Sequence, residues 1–271
     1  MLVLALARAA SAAAEPAPTP LLSRGETALR ASFYLNTVPT LVEMVGDMQK
    51  DILDSLELDA KKRAIVEKAL TELWAEKQLY ANAAAILEKQ LAPDVLDAAI
   101  RQMTPEVQAM VRAGISDASP EQAKAWLDAA KKQPDAKERD ALARRISVHL
   151  PRPGPLKELL LQVGEVMADV AQVASGSDEL RAALHKTLSE GVAPMMAAME
   201  VKETMIAGTI IAYRDQPTAK MRFLADALDS ASGRQLQSAA LASLLGGAKQ
   251  TREQLVARLQ AELKPATKKK K

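Results

Sequence analysis

Apolar positions recur every three or four residues over long stretches of this chain, the pattern of helices that bury one face. Ile65, Val66, Ala69, Leu70, Leu73, Trp74, Tyr80, Ala84, Leu87 and Leu91 form the longest such stripe. Asp59 stands where its first turn needs a cap, so the spacing predicts one helix from 59 to about 90. Prolines mark further starts. Pro39 opens a helix over 41–56, and Pro93 opens another. Thr104-Pro105-Glu106 and Ser119-Pro120-Glu121 each supply a capping hydroxyl, a proline for the first helical position and an acid for the first turn. Pro151-Arg152-Pro153-Gly154-Pro155 is the strongest break, while Gly176 and Gly191 fit helix ends or packing points. No stretch alternates apolar and polar residues between hairpin turns. The fold class expected is all-α.

The chain also resembles itself. Val45, Gly46 and Asp51 match Val163, Gly164 and Asp169, and Arg63, Ala64, Lys68, Leu70 and Glu72 match Arg181, Ala182, Lys186, Leu188 and Glu190. Both matches share an offset of 118 residues, and the proline cluster falls between them. Farther on the offset grows to 125, with Ile86 laid on Ile211. Seven added residues are about two helical turns, which preserves the apolar face. Two related helical-bundle halves from an internal duplication follow. The expected organisation is a leader and linker at 1–22, half 1 at 23–150, a linker at 151–155, half 2 at 156–263 and a Lys-rich tail at 264–271.

Composition narrows the class. The 271 residues suffice for a core without staples, and the absence of cysteine removes disulfides and thiolate chemistry. The formal charge of +2 is a property of the ends: without Lys264, Lys268–Lys271, Arg8 and Glu15, 30 basic residues face 33 acidic ones. Such a body is poor for nucleic acid, which needs a concentrated basic face. The Lys-rich tail is a candidate contact for anionic surfaces. The start, MLVLALARAASAAAEPAPTP, has an apolar run at 2–7 and small residues at Ala12, Ala13 and Ala14 before Glu15. That is signal-like, although a basic segment ahead of the run is missing, and it predicts a periplasmic or secreted protein. No stretch reaches the roughly 18 apolar residues of a membrane span.

The second half carries Tyr213-Arg214-Asp215, an apolar helix over 221–228 and then Asp229-Ser230-Ala231-Ser232-Gly233-Arg234-Gln235-Leu236. An aromatic-bearing helix, a Ser-x-x-Gly break and a further basic-apolar helix resemble the motif of domain-of-unknown-function family 2059. The resemblance covers mainly 200–260, with Ala231 where proline is usual, and no matching glycine follows Thr104-Pro105. It implies a small, exported, all-helical bacterial protein without an assigned activity. Ser230 can cap the next helix, and Gly233 can let two segments approach closely.

Catalytic constellations are not legible. No phosphate-cradling glycine loop, H-E-x-x-H or G-x-S-x-G occurs, and neither His149 nor His185 follows a Glu by three residues as a di-iron bundle requires. No catalytic, cofactor-binding or metal residues are therefore expected, and no cofactor. Met195, Met196, Met199 and Tyr213 gather on an apolar stripe near Pro194, a candidate partner or ligand surface. The expectation is a non-enzymatic envelope component that binds an unknown protein partner or assembles as a homo-oligomer. The alternative is a carrier of a small apolar ligand in a pocket between the halves.

Overall fold

A computed structural model describes residues 22–34, 37–113, 120–150, 153–199 and 202–263, without the side chains of 111–113, 120, 153–156, 188, 191–199 and 202–204. Among the described residues the chain forms thirteen α-helices and no strand. They are α1 (Arg24–Ala31), α2 (Thr37–Ser55), α3 (Ala60–Leu73), α4 (Glu76–Gln90), α5 (Pro93–Gln102), α6 (Pro105–Ala113) and α7 (Pro120–Ala130). Then come α8 (Ala136–Ser147), α9 (Pro153–Ser175), α10 (Asp178–Met199), α11 (Lys202–Ala212), α12 (Thr218–Asp229) and α13 (Ala231–Glu262). The signal-like leader and the Lys-rich tail lie outside the described residues.

Local chemistry accounts for most of the starts. Pro93, Pro105, Pro120 and Pro153 each occupy a first helical position, where the missing N–H costs nothing. Asp59 accepts from the Lys62 N–H at 2.8 Å, and the Thr104 hydroxyl accepts from the Val107 N–H at 3.4 Å. α9 begins inside the proline cluster, and α10 runs through Gly191. Gly176, which separates those two helices, has φ +77°, a left-handed conformation that suits glycine.

One expectation needs correcting. The helix predicted from 59 to about 90 is two helices, parted at Trp74-Ala75. Trp74 leaves the helical region at φ −88°, ψ 47°, and its indole N–H donates to the Leu41 carbonyl at 3.1 Å. A partner 33 residues upstream decides the break, so the local stripe could not reveal it.

The core is built around α13, which runs 32 residues, or about 48 Å. It packs along α4 and α9 and also meets α3, α5 and α12. Against α4 it runs antiparallel: Ser243 meets Gln90, Gly247 meets Ala83, Thr251 meets Asn82 and Gln254 meets Gln78. At the crossing the two backbones are too close for another side-chain carbon. A Cβ on Gly247 would stand 2.7 Å from the Ala83 nitrogen and 2.9 Å from its Cα. Beside it, buried Asn82 donates to the Thr251 hydroxyl at 2.8 Å, which fixes the register. α1 closes the opposite side of α4, where the Gly25 N–H donates to Glu88 at 2.6 Å. One apolar cluster runs from Ala28 through Leu87 and Met167 to Leu259, so both halves of the chain share it.

Gly247→Ala is therefore expected to lower stability by about 1–3 kcal/mol, since the added methyl forces backbones apart. Helix propensity alone would raise it by up to about 1 kcal/mol. Gly208→Ala is the control: it is exposed in α11 with nothing within 4 Å of its missing Cβ, so it should stabilise. Urea melts of the two variants read both signs.

Candidate functional site

Two clusters gather the chemistry-bearing side chains. The first lies at the α12–α13 junction and contains the Ser-x-x-Gly motif. Ser230 ends α12 in an extended conformation, and its hydroxyl accepts from the Gly233 N–H at 3.0 Å, capping α13. Gln102, the last residue of α5, accepts from the Ser232 hydroxyl at 2.9 Å and also lies within hydrogen-bonding distance of the Ser230 hydroxyl. A Cβ on Gly233 would run into the Ala227 carbonyl and stand 2.8 Å from the Ser230 oxygen. Close approach, not a left-handed angle, is what requires glycine here.

Asp229 binds the same junction to α8. Its carboxylate accepts from Arg145 and from His149 Nε2, each at 2.7 Å. Burial alone would raise the Asp229 carboxyl, but the hydrogen bonds from His149 and Arg145 outweigh it and hold the group below its ordinary value of 3.8. Nearby, buried Arg139 carries no carboxylate partner of its own among the described hydrogen bonds. It donates to the carbonyls of Tyr213, Arg214 and Gln216 and to the Thr218 hydroxyl. The guanidinium thus gathers carbonyls of the turn that follows α11.

The second cluster lies where α10 and α13 flank α9. Glu165 and Asp169, one turn apart on α9, are 17% and 11% exposed at their side chains. Each divides its two oxygens between the neighbours. Asp169 Oδ1 accepts from Arg181 of α10 at 2.8 Å, and Oδ2 accepts from Arg252 of α13 at 2.7 Å. Glu165 Oε1 faces His185 of α10 at 2.7 Å, and Oε2 faces Arg252 at 3.1 Å and Arg181 at 3.4 Å. The Asp169 bond raises the Arg181 guanidinium further above its ordinary value. In this arrangement the carboxylates are fasteners between helices, with their oxygens turned toward cations. Among the described residues no group of three or more His, Asp or Glu is placed to hold a metal ion.

The residues singled out from sequence separate in space. Ser230 and Gly233 come together at the junction. Tyr213 sits inside the fold at 2% exposure, where burial pushes its phenol well above the ordinary value. The side chains of Met195, Met196 and Met199 lie outside the described residues. Sequence reasoning missed Arg139, Glu165, Asp169 and Arg252. The i, i+4 spacing of Glu165 and Asp169 inside an apolar run was the available signal, since two acids on a buried face need cations from elsewhere.

Gly233→Ala should lose about 1–3 kcal/mol in a thermal melt, because backbone must move to admit the methyl. Asp229→Asn should cost about 1 kcal/mol at neutral pH. A depressed carboxyl stabilises the fold above its unfolded value and loses that contribution as pH falls through the folded value. The gap between wild type and Asp229→Asn should therefore close on acidification below about pH 4. No family model, curated protein or solved structure matches this chain.

Proposed function

We propose that this chain is an exported, non-enzymatic helical protein that works by binding a protein partner or by self-association. The observation that carries the reading is how the charged groups are used. The two histidines of the chain face carboxylates, His149 on Asp229 and His185 on Glu165, and those carboxylates are shared with arginines of other helices. Groups committed in this way hold helices together. Large apolar side chains are exposed elsewhere, Phe223 on α12 at 45% and Val148 after α8 at 60%, and Phe223 is the contact we assign to association. No helix among the described residues is long and apolar enough to cross a membrane. The signal-like start and the resemblance to family 2059 support export.

The reading includes descent from a duplicated helical unit. Helices α2 to α6 correspond in order to α9 to α13. Ala60 and Asp178, which open α3 and α10, lie 118 residues apart, and Pro93 and Thr218, which open α5 and α12, lie 125 apart. α10 carries the extra length, 22 residues against 14 in α3. The packing of the two sets differs: α9 lies along α10, whereas α2 packs on α9 and α4 rather than along α3.

Sedimentation of the full chain across a range of concentrations tests the reading together with cell fractionation of a tagged chain. The expected result is concentration-dependent association, weakened by Phe223→Ser with stability unchanged to within about 0.5 kcal/mol, and recovery from the periplasm. A strictly monomeric chain retained in the cytoplasm would contradict it.

A further inference from the structure

We infer that the first part of α10, residues 178–190, is a releasable strap, held on α9 by a charge clasp built to survive its departure. Three observations carry this. Among the described residues α10 packs chiefly on α9 and slightly on α11, whereas α9 is also enclosed by α2 and α13. No described side chain of α10 is buried, and Leu180 and Leu184 reach the core only partly. The third observation is the division of the carboxylate oxygens. Arg181 and His185 hold α10 through Glu165 and Asp169, and Arg252 holds the same two carboxylates from α13.

That division sets the cost of opening. An ion pair in a half-buried place is expensive to break when it strands a charge. Here, when α10 lifts away, Asp169 keeps Arg252 on Oδ2 and Glu165 keeps Arg252 on Oε2, so neither is left without a cation. Arg181 and His185, 38% and 49% exposed at their side chains, already meet water. The positive-φ Gly176 in the Ser175-Gly176-Ser177 turn, with nothing within 4 Å of its missing Cβ, gives the strap its pivot. The segment therefore opens locally at a free energy well below that of the whole fold. Opening frees the first part of α10 without unpairing the charges of α9.

Native-state hydrogen exchange of the full chain tests this with two substitutions of opposite expected effect. In the wild type, amides at 180–190 exchange well before those of α4 and α13, and faster still in high salt, which screens the exposed arm of the clasp. Arg181→Gln speeds exchange at 180–190 by about 5-fold and leaves α4 and α13 unchanged, with Arg181→Lys between. Arg252→Gln removes the cation that remains after release, so exchange at 180–190 becomes no faster than in the wild type. Three results would overturn the inference: exchange at 180–190 as slow as in α13, equal acceleration of every helix by Arg181→Gln, or acceleration of 180–190 by Arg252→Gln matching that of Arg181→Gln.

Discussion

The contact between α4 and α13 at Ala83 and Gly247 constrains everything else. Two helices can lie this close only where one lacks a side chain, and the closeness turns a 32-residue helix into a spine rather than a projecting arm. Once α13 lies along α4, Asn82 and Thr251 set its register, and its other sides are presented to α9, α3 and α5. The junction at Ser230 and Gly233 then fixes where the spine begins. It ties α13 to α5 through Gln102 and to α8 through Asp229.

Around that spine the chain uses charge as a fastener. Arg139 gathers carbonyls of the turn after α11, Arg145 and His149 hold Asp229, and Arg252 joins α13 to Glu165 and Asp169. With few aromatics to fill gaps, Ala-rich helices approach closely, and polar side chains at their edges determine how they align. The same economy leaves α10 attached to α9 through groups that also belong to α13, which makes that helix the natural moving part.

Features decided within a few residues were legible in the sequence. The proline-opened helices α5, α6 and α7, the Asp59 cap and the Ser230-x-x-Gly233 turn all follow from neighbours along the chain. Features decided across the fold were not. The break at Trp74 depends on the Leu41 carbonyl, and α1, eight residues long, owes its place to Glu88 and Ala84 of α4. The charge clasp was hidden because its arginines come from helices that sequence alone could not bring to α9. Tyr213 read as part of an apolar stripe, and the structure adds that its carbonyl helps seat Arg139.

The most direct test asks whether one spine makes one cooperative unit. Trp126 stacks on Arg214, with the guanidinium 3.8 Å from the ring, and Trp74 is buried where α3 meets α4. In a Trp126→Phe variant, Trp74 fluorescence alone reports on the first half, while far-ultraviolet circular dichroism reports on every helix. If α13 binds both halves into one core, the two urea transitions coincide in midpoint and slope. Two separated transitions, with fluorescence lost while half the helix content remains, would contradict the account.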